Sequence, residues 1–179
     1  AARLLQQETS ARQGARITLD KAIPVASGLG GGSADAAAAL VALDRLWGTG
    51  FSREDLARLG VALGVDVPFF LQNAGTALGT GRGDNIEGLS AAPPGWVVLL
   101  IPRIFVPAAK TAALYGLLTT SDYTSGDHAS RWREWLTQDA TWTDLLRELS
   151  SLNVFASVAE RAFSGIRKAW DGFRSVVEP

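Results

Sequence analysis

A chain of 179 residues, 47% hydrophobic and 20% charged, has the composition of an ordinary globular protein and room for one large domain or two small ones. Its net charge of −1 offers no basic surface for nucleic acid, and the lack of cysteine removes disulfides, thiolate catalysis and cysteine metal sites. A single histidine, His128, leaves a histidine metal site or a catalytic triad poorly supplied.

The chain opens in "AARLLQQETS", which reads as the end of a helix already under way, and it contains no methionine; a fragment is expected. No apolar run approaches the ~20 residues of a membrane span and no signal peptide opens the chain, so a soluble, cytoplasmic protein is the expectation. "ARITLDKAIP" alternates, with Ile17 and Leu19 on one face, and predicts a strand ended by Pro24. A glycine loop follows, and then a helix from about Ser33 to Leu46, closed near Gly48 and Gly50. In "SREDLARLGVALG" Ser52 and Asp55 form a variant of the capping box, predicting a helix that runs to Gly64. Asp66 is placed to cap a single turn with Pro68 inside it. "TALGTGRGDNIEGL" predicts two short strands around a glycine turn.

"SAAPPG" at 90–95 is the best candidate for a domain boundary. Beyond it, "WVVLLIP" predicts a buried strand and "PAAKTAALYGLL" a helix with Pro107 in its first turn. The polar "TTSDYTSGDHAS" predicts an exposed loop. From Arg131 onward the pattern is helical in three or four pieces, with caps at Thr141 and Ser164. Strands and helices mix without strict alternation, which favours an α+β fold over a doubly wound sheet.

The densest chemical signal is "SGLGGGSADAAAAL", where four of the five residues from Gly28 to Gly32 are glycine and a helix former follows at once. A helix N-terminus presents unpaired N–H groups and a partial positive charge, and glycine lets that backbone close on phosphate oxygens with no Cβ in the way. Ser27 and Ser33 add hydroxyls for a phosphate or its Mg²⁺. A plain turn between strand and helix needs one or two glycines, not four. The loop is not a Walker A loop, because Gly32-Ser33-Ala34 lacks the lysine. Nor is it a dinucleotide fingerprint, since Pro24 to Ser27 separate strand from loop and the region near Glu54 is helical. A dinucleotide-binding oxidoreductase is thereby disfavoured.

"PVASGLGGGSADAAAAL" resembles the second motif of the GHMP kinases, whose glycine loop wraps the nucleotide phosphates. The triple glycine followed by Ser-Ala-Asp-Ala-Ala is similar to the branch of that family whose acceptor is a cytidine diphosphate-linked methylerythritol. "LGVDVPFFL" at 63–71 and "GTALGTGRGDNIEGL" at 75–89 agree in order and spacing, so the resemblance covers roughly Ala15 to Pro102; from Arg103 to Pro179 it rests mainly on element order. It implies an α+β GHMP-kinase fold of two lobes, incomplete at both ends: residues 1–92 as the remainder of the ATP-binding lobe and 93–179 as the start of the C-terminal lobe. It also implies ATP and Mg²⁺ as cofactors, with Gly28, Leu29, Gly30, Gly31, Gly32 and Ser33 as the phosphate loop. Asp66 falls on the family's catalytic aspartate, which accepts or orients the proton of a tertiary hydroxyl as its oxygen attacks the γ-phosphate. Tyr115 is the nearest match to the aromatic residue that covers the cytosine, displaced by about a turn. The implied reaction is phosphorylation of the substrate's 2-hydroxyl in non-mevalonate isoprenoid synthesis. A GHMP kinase with another acceptor (homoserine, mevalonate or a sugar) and a non-catalytic nucleotide-binding piece remain open.

Departures from the family pattern matter too. The family's opening strand with its catalytic lysine, the Gly-Tyr-His stretch after it and the third glycine motif are not in the chain, and Asn153 lacks the acidic residue that usually follows it. The piece alone is therefore expected to be impaired or inactive. No residues suggest a metal-ligand set of their own, and the pattern says nothing of oligomeric state. Several features read as structural: Arg82-Gly83-Asp84 as a hairpin turn and Lys21 as surface charge on its strand. Trp132, Trp135 and Trp142 read as packing, His128 as a solvated loop residue, and Arg147, Glu148 and Glu160 as wet helix faces.

Overall fold

Ala37, Leu40 and Leu43 recur at three-residue spacing and draw one stripe of a helix out of water. This is the centre of the first unit in the computed structural model, which describes residues 1–107, 109–137, 141 and 153–177. Trp142, Arg147 and Glu148 lie outside the described residues. The chain divides into two compact units, Ala1–Ala92 and Pro93–Pro179. Secondary structure is mixed, helices with a two-stranded sheet, in the α+β class. No helix among the described residues is long and apolar enough to cross a membrane.

In the first unit, α1 (Ala2–Glu8) and α2 (Gly31–Trp47) pack together, and α2 packs on α3 (Arg53–Gly60) and α4 (Val67–Leu71). Their shared core is Leu5, Ala37, Leu40, Leu43, Leu56, Val67 and Leu71, and each fully buried leucine contributes roughly 1.5–3 kcal/mol. Gly48, at φ 63°, ends α2 with its N–H on the Asp44 carbonyl. The Ser52–Asp55 capping box forms as expected: Asp55 N–H donates to Ser52 Oγ at 3.1 Å, and Ser52 N–H to the Asp55 carboxylate at 3.2 Å. Ser52 Oγ–H also donates to that carboxylate at 2.6 Å, and this bond, then the one from Ser52 N–H, ahead of Arg58, hold the Asp55 carboxyl below its usual range. The helix proper stops at Gly60, short of the expected Gly64, and the chain turns there.

Strands β1 (Thr76–Thr80) and β2 (Asn85–Leu89) form the expected hairpin, antiparallel with Thr76 opposite Leu89 and Thr80 opposite Asn85. Its turn carries Gly81 and Gly83 at positive φ, and Arg82 pairs with Asp84 at 2.7 Å across it. Arg-Gly-Asp is thus the tip of a hairpin.

Two expected strands do not form. Residues 15–24 and 96–101 carry no strand assignment, and their apolar side chains are largely exposed, Ile17 at 59% and Val97 at 75%. Alternation or an apolar run suits a strand, but a strand exists only where a neighbour completes its hydrogen-bond ladder. Among the described residues the sheet has only β1 and β2.

The second unit holds α5 (Lys110–Gly116), a 3₁₀ turn (Thr120–Asp122), α6 (Asp127–Thr137), α7 (Phe155–Ala162) and α8 (Ile166–Val177). Pro107 precedes α5, whose N-cap is Ala109, so it is not in the helix's first turn. Ser164 lies in the turn between α7 and α8. The stretch expected to be a loop at 119–130 instead contains the 3₁₀ turn and the start of α6. His128 is in that helix, hydrogen-bonded through Nδ1 to Arg131 at 2.9 Å. Trp132 and Trp135 approach with ring centroids 6.5 Å apart, and Glu160 pairs with Arg167 at 2.7 Å.

Asp122 is the polar hub of this unit. It accepts from Thr119 N–H and Oγ1, each at 2.8 Å, and from Arg161 at 2.8 Å. The Thr119 bonds first, then Arg161, hold its carboxyl down at about 2. A carboxyl whose folded value is depressed contributes stability above its unfolded value of about 3.9, and that contribution is lost as pH falls toward 2. Asp122→Asn is therefore expected to destabilise the second unit at pH 7 and to flatten its acid transition between about pH 4 and 2. Tryptophan fluorescence reads this unit preferentially, since five of six tryptophans lie in 93–179. An acid titration identical to that of the parent chain would show that these bonds contribute nothing.

Candidate functional site

The N-terminus of α2 is built by a backbone that changes sign at alternate residues. Ala26, Gly28 and Gly30 have φ of 59°, 83° and 68°, while Ser27 and Leu29 do not enter the left-handed region. Such alternation turns successive N–H groups toward one concave side, the geometry that receives an anion. The helix follows at Gly31, and its N-cap, Gly30, supplies no side-chain acceptor for the first N–H groups. Seventeen residues of aligned peptide dipoles stand behind those donors. Ser27 Oγ accepts from Leu29 N–H at 3.4 Å, so that hydroxyl is engaged within the loop.

The glycines are not equivalent. At Gly30 a Cβ would come 2.9 Å from the Phe70 ring, so positive φ and close packing both require glycine. At Gly31 a Cβ would meet Ile23 Cγ2 at 2.8 Å and Lys21 Nζ at 3.0 Å. At Gly32 nothing lies within 4 Å. A helical residue facing open space has no packing reason to be glycine, and alanine there would favour the helix.

Phe70 belongs to α4, and this contact ties the loop to the element that carries Asp66. Ser33 Oγ likewise lies 3.8 Å from where a Cβ of Gly64 would sit, in the turn just before Asp66. The loop packs on Phe70 of α4, and Ser33 lies beside the turn that leads into Asp66. Asp66 occupies the N-cap position of α4, with Pro68 inside the first turn, but its side chain makes no capping bond. This corrects the sequence expectation: at φ −84°, ψ −11° its backbone is already helical, whereas a capping side chain needs an extended backbone to fold back over the turn. The carboxylate is exposed and has no hydrogen-bond or ion-pair partner among the described residues.

Tyr115 lies in the second unit, on α5, with its ring edge-on to Phe155 at 5.0 Å between centroids and 61% exposed. Lys21, expected as surface charge on a strand, lies in a segment that forms no strand. It pairs with Asp35, one turn into α2, and its ammonium stands beside Gly31 instead of on an open strand face. The local pattern gave no signal for this, because a lysine and an aspartate so far apart in sequence are joined only by the fold.

A glycine nest thus opens onto a helix, with an exposed carboxylate at the start of a neighbouring element of the same unit. The family profile described as the GHMP kinases N terminal domain matches residues 1–73, which contain all of these groups. Residues 1–73 therefore carry a GHMP kinase N-terminal domain. A protein of Dehalococcoides mccartyi named 4-diphosphocytidyl-2-C-methyl-D-erythritol kinase is 39% identical over 168 residues, 94% of this chain and 57% of the relative. Proteins of the same name from Pelotomaculum thermopropionicum and Brevibacillus brevis are 56% and 48% identical over 110 and 118 residues, 62% and 66% of this chain. Those two matches span 38% and 39% of the relatives, so the chain covers between about two-fifths and three-fifths of the proteins it resembles.

Proposed function

We propose that the full-length protein containing this chain is a kinase that transfers the γ-phosphoryl group of ATP to the 2-hydroxyl of 4-diphosphocytidyl-2-C-methyl-D-erythritol, in non-mevalonate isoprenoid synthesis. The observation that carries this reading is the nest at the mouth of α2 with the unpartnered Asp66 carboxylate at the start of neighbouring α4. The names of the relatives supply the acceptor. Residues 1–92 then belong to the ATP-binding lobe and 93–179 begin the C-terminal lobe.

Gly28, Leu29, Gly30, Gly31, Gly32 and Ser33 hold the nucleotide phosphates. The N–H groups of the first helical turn lie against the oxyanions, and the α2 dipole stabilises the charge that moves onto the leaving ADP. Asp66 accepts the proton of the tertiary hydroxyl as its oxygen bonds to the γ-phosphorus and the bond to ADP breaks. Mg²⁺ would neutralise phosphate charge in such a transfer, held chiefly by phosphate oxygens and water, and Ser33 at the start of α2 is the residue whose hydroxyl we assign to it. Tyr115 is the residue we assign to the cytosine.

The test is to incubate the full-length protein with Mg²⁺-ATP and this acceptor and to follow the products by phosphorus NMR. A new phosphomonoester on the 2-oxygen, one per ADP formed, is the expected result. Transfer to homoserine or mevalonate in its place would replace the acceptor, and no transfer to any alcohol would overturn the kinase reading.

A further inference from the structure

Lys21 is only 25% exposed, and such an ammonium is costly unless its charge and donors are matched. Asp35 accepts one of its three N–H donors, and no other described residue takes the remaining two. The ammonium also lies 3.0 Å from the Cβ position of Gly31, the first residue of α2. That end of a helix is positive, so a cation there has the wrong sign for helix stability and the right sign for a bound anion. Gly32, the next residue, leaves open space.

We propose that Lys21 is a phosphate-binding residue of this site, positioned by Asp35 so that its two remaining donors meet oxyanions of the nucleotide held over Gly31 and Gly32. This rests on the phosphate-loop reading above. Asp35 acts on the nucleotide only through Lys21: it holds the side chain against the helix and partly offsets its charge, which limits how strongly the lysine grips.

Calorimetric titration of the full-length protein with ATP and with adenosine tests the assignment. Lys21→Met is expected to weaken ATP about tenfold and adenosine by less than about twofold, the loss of one charged hydrogen-bonding group at the phosphates. Lys21→Arg is expected to keep most of the ATP affinity. Asp35→Asn, which keeps the ammonium and loosens the tie that positions it, is expected to weaken ATP by less than Lys21→Met does and to leave adenosine within about twofold. Undiminished ATP affinity in Lys21→Met overturns the proposal. So does an equal loss of ATP and adenosine, since that describes a purely structural tie between residue 21 and α2. Failure of the unmutated protein to bind ATP overturns the phosphate-loop reading itself, and is distinguished from the other outcomes by that alone.

Discussion

Asp66→Asn in the full-length protein is expected to lower phosphoryl transfer by about 10²–10⁴-fold, the range for loss of a positioned general base, while ATP affinity stays within about twofold. The substitution keeps the side chain's size and removes only its capacity to take a proton. Structural damage is not expected, because the carboxylate makes no capping bond and the hold on α4 comes from buried Val67, Pro68 and Leu71. An unchanged melting temperature beside a collapsed turnover number would assign the loss to chemistry. Undiminished turnover would show that the hydroxyl's proton leaves by another route, and Asp66 would then have no part in the reaction.

The elements legible in the sequence are those whose causes are local. The end of α2 at Gly48, the box between Ser52 and Asp55 and the hairpin around Gly81 and Gly83 each depend on neighbours within a few residues. The same Thr-x-x-Asp pattern at Thr119–Asp122 builds a second box, yet the polar composition around it reads as a loop. There the signal was present, and composition outweighed it. The strands expected at 15–24 and 96–101 fail for a different reason. A strand's ladder is supplied by a distant neighbour, and periodicity cannot announce whether one is there.

The candidate site divides along the same line. Bare backbone before a helix is a local pattern, so the loop was visible. Asp66 was visible as a residue type in a helix-initiating position, but that its side chain stays free follows from backbone angles that no pattern encodes. That Lys21 stands beside the start of α2 was not legible, because its placement depends on the pair with Asp35.

That contact also changes what a side chain at the loop is expected to do. Gly31→Val does not simply enter the phosphate path: its Cβ meets Ile23 and the Lys21 ammonium, so it pushes residues 21–23 away and disturbs the Lys21–Asp35 pair. Loss of ATP affinity in that variant would mix local rearrangement with obstruction. Gly32→Ala separates them. Its φ is not in the left-handed region and no neighbour lies within 4 Å, so alanine is expected to stabilise the fold by roughly 0.4–1 kcal/mol through the unfolded chain. If oxyanions approach the backbone there, the same methyl group displaces them, and ATP affinity is expected to fall about tenfold or more, one charged hydrogen bond's worth. A more stable protein that binds ATP less well is an outcome a simple turn cannot produce. Thermal unfolding and calorimetric titration on the one variant measure both halves. If stability rises and ATP affinity does not fall, the open space over Gly32 holds no phosphate, and the loop is reduced to a connection between the extended segment and α2.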